Sequence, residues 1–232
     1  MTQPAVPLPV LLAGMTTAVI HGVVPMAEIA DFFDRSFSEL ATVLGAQEIA
    51  PVGAAFAIHV TPNAPTGFVA MRPGPLMASA DEFTVTVKGR GTHASMPHFG
   101  IDPMPAAAEV VGALSTMVTR RIEAFDPAIV TVAHLTGGST HNVIPERVLM
   151  EGTVRCVSAH TRDRVETLFA EVVHGVASAH GCTAEIDYTR GYPVTVNNAE
   201  MTELVGDVCE QVLGPDRMFP LPSPVMGAED YS

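Results

Sequence analysis

The sequence predicts an α+β fold whose centre is a ferredoxin-like β-α-β-β-α-β unit over residues 81–190. Two observations lead there. Across this stretch the apolar spacing alternates between a period of two and a period near 3.6, in the order strand, helix, strand, strand, helix, strand. That order builds an antiparallel sheet of four strands with both helices on one face. A length of 232 residues with 47% hydrophobic content supplies the apolar material for its core.

Residues 1–40 show no clear period; they hold an apolar run over 9–20. Residues 26–44 then place Ile29, Phe33, Phe37, Leu40 and Leu44 on one helical face. His21, in this zone, reads as an ordinary packed or surface histidine. Residues 54–60 form a short continuous apolar run, the pattern of a strand buried on both faces, which carries His59 near its end. Pro62, Pro65 and Gly67 mark a loop, and residues 68–75 a second short strand and turn.

The regular part begins at Asp81. Residues 83–88 alternate as a half-buried strand, and Gly89 and Gly91 then let the backbone turn sharply into an irregular loop over 88–102. A helix starts near Pro103, with Ala107, Val110, Val111, Leu114, Met117 and Val118 on one face. Residues 128–135 read as a strand, residues 137–145 as a second glycine-bearing loop, and residues 147–157 as a strand. In the latter, Val148, Met150, Val154 and Cys156 alternate with Arg147, Glu151, Thr153 and Arg155, so one face is apolar and the other polar. Thr161 is a candidate cap for a helix with Val165, Leu168, Phe169, Val172 and Val176 on its stripe and Gly181 at its end. Residues 183–189 alternate as the last strand of the unit. Beyond it, Asn198 can cap a helix burying Met201, Leu204, Val205, Val208 and Val212 up to Gly214, and a proline-rich run over 215–224 follows.

Composition narrows the function classes. A net charge of -13 with only 12 Lys plus Arg lacks the clustered positive charge that a nucleic-acid footprint or an anionic membrane surface asks for. Cys156, Cys182 and Cys209 are far apart, with no CxxC pair, and read as buried thiols of a reducing compartment. The N-terminal stretch has no basic residue before its apolar run and is broken by Pro4, Pro7 and Pro9, so it fits a signal peptide poorly. No run of about 20 apolar residues suits a membrane span. Together these point to a cytoplasmic protein.

Chemistry-bearing side chains collect on the two loops at strand ends, where scaffolds display functional groups. The first holds His93 and His98, the second His141 and Asn142. Three motifs, Gly89-Arg-Gly-Thr-His-Ala-Ser-Met-Pro-His98, Gly137-Gly-Ser-Thr-His-Asn-Val-Ile-Pro145 and Met226-Gly-Ala-Glu-Asp-Tyr-Ser232, in this order and spacing, resemble the M20 metallopeptidase family. The likeness is greatest to its amidohydrolase branch, the hippurate-hydrolase-like enzymes that remove N-acyl groups from amino acids. It covers roughly residues 50 to 232.

The resemblance implies a lid, or dimerisation, domain over 81–190, flanked by portions of an α/β catalytic domain at 1–80, where 1–40 cannot be placed, and at 191–232. It implies His93 as the catalytic lid histidine, which reaches across a dimer to polarise the scissile carbonyl, and Asn142 as the residue that holds the substrate near its carboxylate. It implies a divalent metal, zinc or manganese, with His59 as a ligand. Glu229 and Asp230 match the acidic pair near the family's active site. His98 and His141 are weaker candidates; His134, His160, His174 and His180 fall on regular elements and read as structural.

The metal side departs from the family pattern. The chain has no Glu-Glu dipeptide to supply the general base, no cysteine before Cys156 and no histidine after His180. The expectation is an M20-type amidohydrolase of N-acyl amino acids in an incomplete copy, weak or inactive by itself and assembling as a homodimer through the lid. The alternative is a non-catalytic dimerisation module that forms a heterodimer with a full-length relative. An unrelated ferredoxin-like binding domain would make all three motif matches accidental.

Overall fold

The structure, a computed structural model, describes residues 67–229 and Ser232, together with the backbone of Leu8–Leu12 and Met15–Val19. The expected helix over 26–44, the strand over 54–60, His21, His59 and Asp230 lie outside the described residues. The chain divides into two compact units, Met1–Ile58 and His59–Ser232.

In the first unit, β1 (Leu8–Leu12) and β2 (Met15–Val19) pair antiparallel, with Leu8 opposite Val19 and Leu12 opposite Met15. The apolar run that showed no period therefore holds two strands. β1 has no polar residue and β2 carries its two, Thr16 and Thr17, in succession, so neither shows the alternation that normally announces a strand.

The second unit is built on β5 (Asp81–Lys88), α1 (Pro103–Arg121), β7 (Ala128–Gly137), β9 (Arg147–Cys156), α2 (Ala159–Ala179) and β10 (Thr183–Arg190). The sheet runs β10-β5-β9-β7, antiparallel throughout, which is the split β-α-β-β-α-β unit that the sequence predicts. Phe83, Val85 and Val87 of β5 and Val148, Met150, Val154 and Cys156 of β9 turn their buried face to the helices. Ala106, Ala107, Val110, Leu114 and Met117 of α1 meet them, with Val165, Leu168, Phe169, Val173 and Ala177 of α2. Phe169, fully buried, packs its ring 4.6 Å from Phe83 and 5.8 Å from Tyr188. Burying a side chain of that size contributes roughly 1.5–3 kcal/mol.

Several local expectations change. Helix α1 starts at Pro103 as expected, and Asp102 caps it, accepting the Met104 N–H at 3.0 Å. The cap of α2 is Ser158, whose Oγ accepts the Thr161 N–H at 3.0 Å, and the Thr161 hydroxyl instead donates to Asp126 at 2.6 Å. Thr161 already lies inside the helix, so its own N–H is one of the unpaired donors that need a cap. The last two turns of α2 bury Val173 and Ala177, whereas Val172 and Val176 are only half-buried.

Shorter elements frame this unit. β3 (Val69–Met71) pairs in parallel with β12 (Met218–Pro220), so the proline-rich run contains a strand. β4 (Gly74–Met77) pairs with β11 (Thr195–Asn197), and α3 (Ala199–Leu213) is capped by Asn198 as expected, its Oδ1 accepting the Met201 N–H at 3.1 Å. The apolar stripe of α3 is half-buried, not buried: among its described residues only Gly206 is buried, and Val212 is 63% exposed. Cys156 and Cys182 are buried, Cys209 half-buried, and all three are free thiols. Among the described residues no helix is long and apolar enough to cross a membrane.

Candidate active-site loops of the dimerisation domain

The two loops singled out in the sequence meet. β6 (Thr92–His93), in the loop after β5, pairs antiparallel with β8 (Val143–Ile144), in the loop after β7, with His93 opposite Val143. One residue further along, the Ala94 N–H donates to the Asn142 carbonyl at 2.9 Å. His93 and Asn142, 49 positions apart in sequence by subtraction, thus stand side by side on one small ribbon, both exposed.

Close backbone approach holds the ribbon in place. At the base of the first loop, Arg90 and Ile101 exchange both backbone hydrogen bonds, at 2.8 and 2.9 Å, and the Gly89 N–H reaches the Glu146 carbonyl at 2.8 Å. A Cβ on Gly89 would lie 2.1 Å from the Ile101 carbonyl oxygen, and one on Gly91 would lie 2.9 Å from that of Ile144. These two glycines are needed because the backbones of Ile101 and Ile144 press against them. Neither has a positive φ among the residues described, which corrects the expectation that they serve a sharp turn.

The His93 ring is itself held. Ser95 donates its backbone N–H to Nδ1 at 3.2 Å, and its hydroxyl lies 2.7 Å from the same nitrogen. The Met96 N–H donates to the His93 carbonyl at 2.9 Å and closes the turn between them. For Asn142, Thr140 donates its hydroxyl to Oδ1 at 3.2 Å, which leaves the amide Nδ2 as a donor for a ligand. Ser95 and Thr140 were not among the sequence-derived site residues. The available signal was a short hydroxyl two residues from each functional side chain, the spacing of local side-chain and backbone turns.

The weaker candidates stay outside this arrangement. His98 lies tilted against the exposed Phe99, with ring centroids 4.2 Å apart, and His141 is exposed. His134 pairs with Glu151 and His180 with Glu109, each at 2.7 Å, as surface partners. A concavity of about 690 Å³, lined among others by Thr86, Thr136, Ser139, Arg147 and Leu149, opens beside β8, but neither His93 nor Asn142 lines it. Both His93 and Asn142 are exposed, outside that concavity.

Residues 79–180 match the family model described as the peptidase dimerisation domain of M20 enzymes. These residues are an M20 peptidase dimerisation domain. The chain is 35% identical over 185 residues to the N-acetyl-L-cysteine deacetylase of Bacillus subtilis, covering 78% of this chain and 43% of that protein. It is 32% identical over 178 residues to thermostable carboxypeptidase 2 of Saccharolobus solfataricus, covering 76% and 44%. Among solved structures it resembles YXEP of Bacillus subtilis, described as a dinuclear metal-binding peptidase of the M20 family, with a TM-score of 0.63 at 27% identity over 82% of this chain and 47% of that one. The chain spans less than half the length of these relatives.

The M20 dimerisation domain contains both His93 and Asn142. His59 lies before it and Asp230 after it, both outside the described residues; the Glu229 carbonyl accepts the Ser232 N–H at 3.3 Å. Among the described residues no group of three or more His, Cys, Asp or Glu side chains is placed to hold a metal ion.

Proposed function

We propose that this chain serves amide hydrolysis of N-acyl amino acids, with residues 81–190 as the lid and 1–80 and 191–232 as portions of a catalytic domain. The observation that carries this is the pairing of β6 with β8, which brings two exposed residues with hydrogen-bonding side chains, His93 and Asn142, onto neighbouring rungs of one ribbon. An N-acyl amino acid offers two acceptors close together, the acyl carbonyl and the α-carboxylate. His93 donates to the carbonyl oxygen, where negative charge develops during attack, and Asn142 Nδ2 donates to the carboxylate. A donor aimed at a developing oxyanion is worth roughly 10²–10³ in rate.

The deacetylase and carboxypeptidase named among the relatives support this class, since both names denote cleavage of an amide next to an amino-acid carboxylate. Hydrolysis of this kind draws on a divalent ion, zinc or manganese, and His59 is the position in this chain matched to a ligand. By itself this incomplete copy is weak, so its turnover needs excess metal, and it acts as a homodimer through the lid. The name of the matching domain favours a second reading, a dimerisation module that lends His93 and Asn142 to a full-length relative.

The test is an assay of amine release from a panel of N-acetyl and N-benzoyl amino acids with excess zinc, manganese or cobalt. Turnover that tracks added metal and collapses in His93→Ala supports the enzyme. If activity emerges only on mixing with a full-length relative whose own lid histidine has been replaced by alanine, the module is right. Failure in both formats would sink both.

A further inference from the structure

We propose that Ser95 is the positioning residue of His93: by occupying Nδ1 it leaves the one proton of the neutral ring on Nε2, so His93 meets a ligand as a hydrogen-bond donor. An amide N–H can only donate, so the Ser95 N–H, 3.2 Å from Nδ1, requires a lone pair on that nitrogen. The Ser95 hydroxyl, 2.7 Å from Nδ1, then donates to the same lone pair. A proton placed on Nδ1 would instead face the amide hydrogen directly. The bond made by one ring nitrogen decides which nitrogen carries the proton, so Nε2–H is the tautomer this loop selects.

The backbone enforces the arrangement. The bond from the Met96 N–H to the His93 carbonyl, 2.9 Å, closes a turn with Ala94 and Ser95 at its centre, which brings the Ser95 amide back toward the His93 ring. The Arg90–Ile101 pair below, and the pairing of His93 with Val143 beside it, hold both ends of that turn. Ser95 is exposed, so what keeps it in place is this local geometry and not core packing. The opposite tautomer would present a lone pair to a carbonyl oxygen and repel it. The identity of that acceptor rests on the amide-hydrolysis reading; the tautomer does not.

The experiment uses the whole ¹⁵N-labelled chain with no substrate and no metal, in long-range ¹H–¹⁵N correlation spectra at about pH 8, where a histidine ring is neutral. The His93 signals are assigned from the spectrum of His93→Gln. The expected result is a pyridine-type Nδ1, a pyrrole-type Nε2 and a scalar coupling between the Ser95 amide nitrogen and Nδ1 across the hydrogen bond. In Ser95→Ala, which keeps the amide and loses the hydroxyl, the Nδ1 resonance moves toward that of an unbonded ring nitrogen. Ser95→Thr restores it, and unchanged far-UV circular dichroism shows that the fold is intact. A pyrrole-type Nδ1 in the wild type, nitrogen shifts averaged between the two types, or no response to Ser95→Ala would each overturn the proposal. Because no turnover is measured, an absence of amidase activity leaves this result standing and condemns only the substrate reading.

Discussion

Arg162 forks onto Asp81, its Nε 3.1 Å from both carboxylate oxygens, at a place where Asp81 is 0% and Arg162 8% exposed. The pair ties α2 to the start of β5, and it is fully furnished with partners. Tyr188 donates its hydroxyl to Asp81 Oδ2 at 3.0 Å, and the Gly191 N–H donates to Oδ1 at 3.2 Å. Arg162 Nη2 also donates to the Gly191 carbonyl at 3.0 Å. The points where the chain enters β5 and leaves β10 are thereby held to each other and to a helix.

Removing the cation from this pair strands a carboxylate away from water, and breaking a buried pair in that way costs about 3–5 kcal/mol. Arg162→Met is therefore expected to lower the unfolding free energy by that amount in urea titrations. Arg162→Lys, a single point charge without the planar fork, recovers only part of it. A loss below about 1 kcal/mol for Arg162→Met would show that the network contributes little.

Alkaline pH is expected to weaken the fold. Burial, with the Asp81 charge adding to it, pushes the Cys156 thiol up from 9.0 to about 12, and the same two causes raise Tyr188. Above about pH 9 the unfolded chain releases the thiol proton while the folded chain keeps it, so stability falls as pH rises from about 9 to about 12, by at most about 1.4 kcal/mol per pH unit for one such group. Urea midpoints compared at pH 8 and 10.5 check the fall. Cys156→Ala should make the slope shallower, and an unchanged slope counts against this account.

Two substitutions on one loop should behave oppositely. The His93 side chain is exposed and its hydrogen bonds go to Ser95 in the same turn, so His93→Ala should change stability by no more than about 0.5 kcal/mol in thermal melts. Gly89→Ala drives a methyl group against the Ile101 carbonyl and should cost about 1–3 kcal/mol. A large loss of stability in His93→Ala would mean that the ring is a structural part of its loop.

The edge strand β7 is ten residues long, and among the described residues no further strand pairs with its outer side. A long open edge is a template for pairing, and light scattering at tens of micromolar should return the mass of a dimer. Ile129 and Leu135, 42% and 46% exposed on this strand, give the means to disrupt it. Ile129→Lys combined with Leu135→Lys is expected to shift the mass toward the monomer with the circular dichroism spectrum unchanged. A monomeric wild type would refute the assembly.

Periodicity was enough for the central sheet and its two helices, because each element there has one face in the core and one in water. Where polar and apolar residues do not alternate, as in β1 and β2, or where prolines break the signal, as around β12, the strands could not be read. Ser158 was passed over as a cap for Thr161, since two hydroxyl residues three apart satisfy the same pattern and only the N–H they serve tells them apart.

By itself the sequence determined the split β-α-β-β-α-β order, the two histidine- and asparagine-bearing loops and their likeness to M20 enzymes, because these depend on local spacing and residue type. Tertiary structure decided which groups meet. Only chain folding brings Asn142 beside His93, seats Arg162 on Asp81 from 81 residues away, and presses Ile101 against Gly89 so that no side chain fits there. Such contacts depend on distances between segments remote in the chain, and a pattern read along one strand or helix carries no information about them.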